Sequence, residues 1–452
     1  MSKLRIAAII IGILLVIGLL FTGCPRRDDG RIELRVINYF SMANPAALEE
    51  LRIVWEAFDR AHPHIRVVRE DDMHEPFHHK MEAYAAAGNL PDVMHVWPSG
   101  RSSTLHANRL LKDLTPLIER DGLARYFTPV TMDPAGQFGG YMAMIPRGLT
   151  ATNAFFINME VLNQVGLQPA RTYSELRAQV PILRAAGFET IIMANAESWV
   201  MQSCLFSSIA GRYMGYGWEK RIHSGEARFT DPAFVNALRF IRMMYEDGVL
   251  SQATLATDYG SSIGLFATNR GAYKIDGDWR VGDFLTDHST GMALISPERQ
   301  RNFRIGVFPE IDIAFQPPVA IPGRTNTVVL ATGWGINANI PRGSEREAAA
   351  WELVKWLTGR EAQTFFVETG TFSSPSRTDI DLSVLALEPL QVAIANLSSY
   401  YDISTVVIDA AFPGSVYTPL NDGLQALGMG RTTPEALAAV VQAAFDAWRA
   451  TQ

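Results

Sequence analysis

Two short stretches carry residue types that could break bonds. His74-Glu75-Pro76-Phe77-His78 spells H-E-x-x-H, in which two imidazoles on one helical face hold zinc and the glutamate acts as general base. Proline lacks an N–H and is tolerated only in a helix's first turn. A helix here would leave His74 and Glu75 in front of it, and the two histidines would not align. His74, His78 and His79 are therefore expected as solvated loop histidines. Gly260-Ser261-Ser262-Ile263-Gly264 spells G-x-S-x-G. A nucleophile elbow needs a buried strand just before the serine, and Ala256-Thr257-Asp258-Tyr259 is short and polar. No G-x-x-x-x-G-K-[ST] phosphate loop occurs, so any ATPase lies in another polypeptide.

The elements that would position a binding site read as follows. Ile32 to Ile37 alternates apolar and charged residues as a strand does, and Asn38-Tyr39-Phe40 stands at its end. Ala46 to Arg60 has helical spacing, with Leu48, Leu51, Trp55 and Phe58 on one face, and Pro63 stops it. Ile65 to Val68 is a second strand, Lys80 to Ala87 a helix, and Val93 to Val96 a third strand. Strands alternating with helices imply parallel pairing through right-handed crossovers. Ligands bind such sheets at the carboxyl ends of the strands. That rule brings Tyr39, Phe40, the acidic run ending at Asp72, and Trp97 to one place. Further on, Thr172 to Ala186, Asp231 to Glu246, Arg342 to Thr358 and Thr433 to Arg449 read as helices, and Thr190 to Ala194 as a strand.

Lys3 and Arg5, an apolar run from Ile6 to Phe21, and Thr22-Gly23-Cys24 have the form of a secretory leader, with Cys24 placed as a lipidated cysteine. The run is shorter than the roughly 20 residues a spanning helix needs. The chain is thus expected to be exported and tethered by lipid, facing the periplasm or the extracellular space. At 452 residues, 48% hydrophobic and 19% charged, it has room for two or three units with substantial cores. The formal charge of −7, more negative by two once the leader is lost, argues against nucleic acid. With Cys24 lipidated, Cys204 has no partner within the chain, so the core and not disulfides must supply stability.

Several segments, in order, resemble the extracellular solute-binding proteins of ABC transporters, in the group that includes maltose-binding protein. They are Phe58-Asp59-Arg60-Ala61-His62-Pro63, Ala85-Ala86-Ala87-Gly88-Asn89-Leu90-Pro91-Asp92-Val93, Leu110-Leu111-Lys112-Asp113-Leu114-Thr115-Pro116, and Ala154-Phe155-Phe156-Ile157-Asn158. Gly271 to Trp279, Gly333-Trp334-Gly335-Ile336, and Lys355-Trp356-Leu357-Thr358 complete the series.

The resemblance implies an α/β, two-lobe periplasmic-binding-protein-like (type II) fold, each lobe a mainly parallel sheet flanked by helices, with a ligand cleft between them. Residues 1–23 would be the leader and 24–31 the tether. Residues 32–145 with 309–357 would form one lobe, and 146–308 with 358–452 the other, with crossings near Ile145-Pro146, Phe308-Pro309 and Leu357-Thr358. A sugar stacks its C–H faces on aromatic rings and needs hydrogen-bonding groups around its hydroxyls. The positions the family gives to its cleft are Trp97, Trp199, Trp279 and Trp334, joined by Tyr39 and Phe40 from the strand ends. The polar candidates are Asp72, Arg101, Glu197, Asp276 and Asp278. Trp55, Trp351, Trp356 and Trp448 lie on amphipathic helices and are expected in the core. The partners implied are a mono- or oligosaccharide, permease subunits with a separate ATPase, and the membrane through the lipid. A monomer without cofactor is expected. A glycerol phosphate, a polyol or another polar solute would suit the same scaffold, as would a ligand sensor for a membrane receptor.

Overall fold

Leu34 and Val36 of strand β1 (Ile32–Tyr39) point into one apolar layer and Ile37 into the opposite one, as the alternation requires. In the computed structural model, residues 30–451 are described apart from 44–45, 288–289, 373, 396 and 398–404; the leader and Cys24 lie outside the described residues. With strands numbered along the chain, β1 pairs in parallel with β2 (Ile65–Asp72) and β3 (Val93–Val96). β11 (Gly333–Ile336) runs antiparallel between β3 and β4 (Met144–Pro146), which gives the order β2-β1-β3-β11-β4. Helical segments Ala47–Glu50, Leu51–Trp55 (a π-helical stretch) and Glu56–Ala61 join β1 to β2.

Helix α1 (His74–Ala86) joins β2 to β3 and begins six residues before the Lys80 start read from the sequence. Met73 is extended and His74 adopts a φ of 59°, so Pro76 falls third in the helix, within the first turn where its missing N–H costs no bond. The sequence pattern placed His74 and His78 in a loop because it took that proline as the boundary.

The second sheet has the order β7-β8-β6-β9, from β6 (Ala154–Asn158), β7 (Glu189–Ile192), β8 (Gly271–Asp276) and β9 (Phe303–Gly306). α2 (Tyr173–Ala185) and α3 (Pro232–Glu246) pack against it, with Phe155 stacked on Tyr273 at 4.9 Å in the layer between. Pro232 at the first position of α3 uses its fixed φ where no N–H bond is lost. Under the first sheet lie α4 (Glu345–Leu357) and α5 (Arg360–Glu368), burying Trp351, Val354, Phe365 and Phe366 beside Trp55. Each large apolar side chain so buried stabilises by about 1.5–3 kcal/mol. α6 (Gly414–Gly428) and α7 (Pro434–Arg449) close the second unit, where Trp218 and Cys204 are also buried.

Between the two large sheets lies a small one, ordered β10-β5-β12, built from β5 (Gly148–Ala151), β10 (Val328–Leu330) and β12 (Ser374–Pro375). The chain passes from one unit to the other along β5 and β10, and again after β12 near Leu387-Glu388, since Leu382, Leu385 and Leu387 still pack on the first core while Glu388 accepts from the Thr286 N–H of the second unit. Sequence reading set the second and third crossings at 308–309 and 357–358. The chain instead stays with the second unit to Thr327, because buried Arg212 donates to the carbonyls of Phe308 and Pro309 and to Thr325 Oγ1. It stays with the first unit through α5, whose apolar face covers the first core.

Candidate functional site

The carboxyl ends of β1 and β3 carry the first wall of a site. The Tyr39 ring stands edge-on to Trp97 at 5.0 Å and to Phe77 at 5.3 Å. His78 from α1 lies 4.7 Å from Trp97, and His74 reaches the Tyr39 hydroxyl at 3.5 Å. α1 thus adds two imidazoles to a wall started by strand ends. Burial, joined by the charge of Arg101, pushes the His78 pKa down to about 3, so this imidazole is neutral at ordinary pH.

The second wall comes from the other unit. Trp199, on the short helix Ser198–Met201, lies 5.2 Å from Tyr259 and 6.2 Å from Trp279. Trp279 Nε1 donates to Tyr259 Oη at 2.5 Å, and that hydroxyl donates in turn to Asp276 Oδ1 at 3.3 Å. The Arg280 guanidinium stacks 3.7 Å from the centre of the Tyr259 ring. Tyr259 is therefore fixed by an indole, a carboxylate and a cation at once. A Cβ on Gly277 would come within 2.2 Å of the Trp279 ring, so glycine is what lets that indole fold back over the chain.

The two walls meet. Arg101 Nε lies 3.3 Å from Asp409 Oδ2 with both side chains largely buried (15% and 11% exposed). The same guanidinium sits 5.6 Å over the Trp199 ring and places Nη1 3.3 Å from His78 Nε2. His74 and Tyr259 rings are 6.2 Å apart. A Cβ on Gly100 would fall 1.9 Å from the Phe412 carbonyl oxygen, which the absence of a side chain permits. Burial pushes the Asp409 carboxyl up, against the pull of Arg101.

Of the residues singled out from sequence, Tyr39, Trp97, Arg101, Trp199 and Trp279 are brought together in this array. Asp72 ends β2 opposite Tyr39, but its carboxylate is bound to Lys80 at 2.7 Å. Glu197 precedes the Trp199 helix, half-buried, without capping it. Four others do not join this array. Phe40 is buried under the Arg69 guanidinium, 5.3 Å away. Asp276 is buried against Lys274 at 2.9 Å and Arg280 at 3.2 Å; burial raises its pKa, and the two cations outweigh that and hold it low. It serves to position Tyr259. Asp278 accepts from Thr150 Oγ1 at 2.6 Å and from the Ala151 N–H at 2.9 Å, which ties it to crossing strand β5. Trp334 is buried one layer behind the first wall, between His95 and Trp55.

Sequence reading missed Tyr259, His78 and Asp409. Tyr259 was legible as an aromatic in a polar stretch, but only its distant partners give it a role. Ser262 of the G-x-S-x-G stretch is buried, accepts from Lys274 Nζ at 3.0 Å and donates to the Tyr259 carbonyl.

The array joins aromatic rings from both units with a cation, a carboxylate and a neutral imidazole at their junction. Comparison with protein families matches residues 44–364 to the bacterial extracellular solute-binding proteins. Among solved structures, one described under xylan utilization by the thermophilic bacterium Caldanaerobius polysaccharolyticus is 20% identical, with a TM-score of 0.79 over 91% of this chain and 99% of that one. A chitin oligosaccharide binding protein is 20% identical, with a TM-score of 0.78 over 92% of this chain and 100% of that one. The maltose-bound MalE3 of T. maritima is 19% identical, with a TM-score of 0.71 over 92% and 100%. Comparison with curated proteins gives no match.

Proposed function

Because the chain belongs to the family of bacterial extracellular solute-binding proteins, we propose that it is the substrate-binding lipoprotein of an ABC importer and takes a mono- or oligosaccharide between its two units. The observation that carries this reading is the pair of facing walls, Tyr39 and Trp97 against Trp199, Tyr259 and Trp279, joined through Arg101 and Asp409. Ring faces pair with the C–H faces of a pyranose, and the groups at the junction pair with its hydroxyls. Likeness to sugar-binding neighbours supports the same ligand class. The units 30–147 with 331–387, and 152–327 with 388–451, act as lobes that close about β5, β10 and the segment near Leu387-Glu388. Closure follows ligand because the ligand binds the closed state better than the open one. The closed form then docks on permease subunits driven by a separate ATPase, with Cys24 holding the protein at the membrane by lipid. No covalent step is required of any residue.

The test is thermal unfolding of the chain from residue 25 onward against a panel of sugars, polyols and glycerol phosphates. A ligand at 100 times its dissociation constant stabilises by about 2.7 kcal/mol. A shift with one sugar supports the reading and names the solute. A shift with a phosphate alone replaces it with an anion-binding function on the same scaffold.

A further inference from the structure

Behind the first wall lies a row of buried donors with nothing to bond. His95 is 1% exposed, and neither of its ring nitrogens has a hydrogen-bond partner among the described residues. The indole Nε1–H of Trp334, 2% exposed, is equally unpartnered, and so is the Nε–H of Arg147. Sheet register puts these groups on one face. Trp334 of β11 stands directly opposite His95 of β3, with ring centroids 5.0 Å apart, and opposite Ile145 of β4 on its other side. Alternate residues share a face, so Arg147 follows Ile145 there, and it donates to Thr332 Oγ1 at 3.1 Å, two residues before Trp334. Glu50, from the helix over this face, carries the nearby negative charge that Arg147 feels. On its other side His95 touches the wall itself, 5.9 Å from Tyr39 and 5.5 Å from Trp97.

Buried polar groups in folded proteins are paired, and an unpaired one marks a missing partner. The partner's chemistry follows from the donors. Burial holds the His95 imidazole neutral, which leaves it one N–H and one lone pair. Trp334 and Arg147 offer N–H groups only. A hydroxyl both accepts and donates, so one hydroxyl between His95 and Trp334 satisfies both. A second on the adjacent carbon takes the Arg147 N–H. We propose that His95, Trp334 and Arg147 form a deep subsite for two neighbouring hydroxyls of a sugar, opened when the Tyr39 ring swings out from between His74 and Trp97. This rests on the reading of the facing walls as a sugar site and assigns the part that selects among sugars. The ligand's terminal unit enters it edge-first, while the rings of the two walls stack on its faces.

The experiment is a set of nitrogen-15 indole spectra of the mature chain, with the nine tryptophan signals assigned by single Trp→Phe variants and the probes maltotriose, xylotriose, triacetylchitotriose and raffinose. The sugar that moves Trp97 and Trp199 is expected to move Trp334 and slow its exchange with water, while the unpartnered, buried indole of Trp218 stays still. With that sugar, Trp334→Phe and His95→Phe each weaken binding about tenfold, the effect of a lost hydrogen bond that leaves a hydroxyl unpaired. Trp334→Phe also lowers the midpoint of unfolding in the absence of sugar through the cavity it leaves in the core, and His95→Phe weakens binding without lowering that midpoint. If the sugar moves the wall indoles but not Trp334, and Trp334→Phe binds it as the native chain does, the row holds a buried water only and the proposal falls while the sugar site stands. If no probe moves any wall indole, the sugar reading and this subsite fall together.

Discussion

Replacing Arg101 with alanine should open the ligand-free protein. Its guanidinium lies 3.3 Å from Asp409 across the junction and 5.6 Å over Trp199. Two unit charges at that separation attract by about 5 kcal/mol at an effective dielectric constant near 20. Removing both from water offsets most of that, and a partly desolvated cation over an indole adds about 1 kcal/mol. The net bias toward closure is then about 1–3 kcal/mol, and each 1.4 kcal/mol changes a population ratio about tenfold. Arg101→Ala also leaves the Asp409 carboxylate buried without its cation, which raises the free energy of the closed form further. Small-angle X-ray scattering of the ligand-free protein reads the outcome as a larger radius of gyration for Arg101→Ala than for the native chain. Asp409→Asn, which keeps the shape and removes the charge, should fall between them. Identical curves for all three would refute the idea that this pair holds the units together.

Three further outcomes follow from the same geometry. His78 is neutral in the folded state with a pKa of about 3, against about 6.5 when unfolded, so the unfolded chain binds more protons below pH 6.5 and stability falls as pH drops toward 3; after allowance for its partial exposure, His78→Gln should remove about 1–2 kcal/mol of the loss in urea-unfolding stability between pH 7 and pH 5. Arg212→Met strips three buried acceptors of their donor and should cost about 3–5 kcal/mol in the same assay, with the segment from Phe308 to Thr325 becoming accessible to protease. Tyr259→Phe removes the hydroxyl between Trp279 and Asp276 and should weaken sugar binding about tenfold in calorimetry while costing about 1–2 kcal/mol of stability; unchanged affinity would place Tyr259 outside the site.

Local features of the fold were legible where the chain's own period decides them. β1 shows alternation, α3 opens on Asp231-Pro232, and Val93–Val96 is a short apolar run, and all three stand where they were read. Pro76 misled because a proline in the first turn marks a helix's start only to within a few residues, and the choice made there hid two wall histidines. Pairings across long separations stayed out of reach. Arg101 and Asp409 are 308 positions apart, and nothing local to either announces the other. The family resemblance puts Trp334 at the cleft, with Asp276 as a polar candidate beside it. Lys274 and Arg280 draw the aspartate into the core, and central strand β11 buries the tryptophan.

Whether the aromatic walls hold a sugar is decided by calorimetric titration of the native chain, Trp97→Ala, Trp199→Ala and Arg101→Ala with the stabilising ligand. One sugar bound per chain is predicted, with affinity falling about tenfold or more in each tryptophan variant through loss of a stacking face. A ligand whose binding survives both tryptophan changes and is lost only with Arg101 would rule out sugar stacking on these walls and make the site one for an anion.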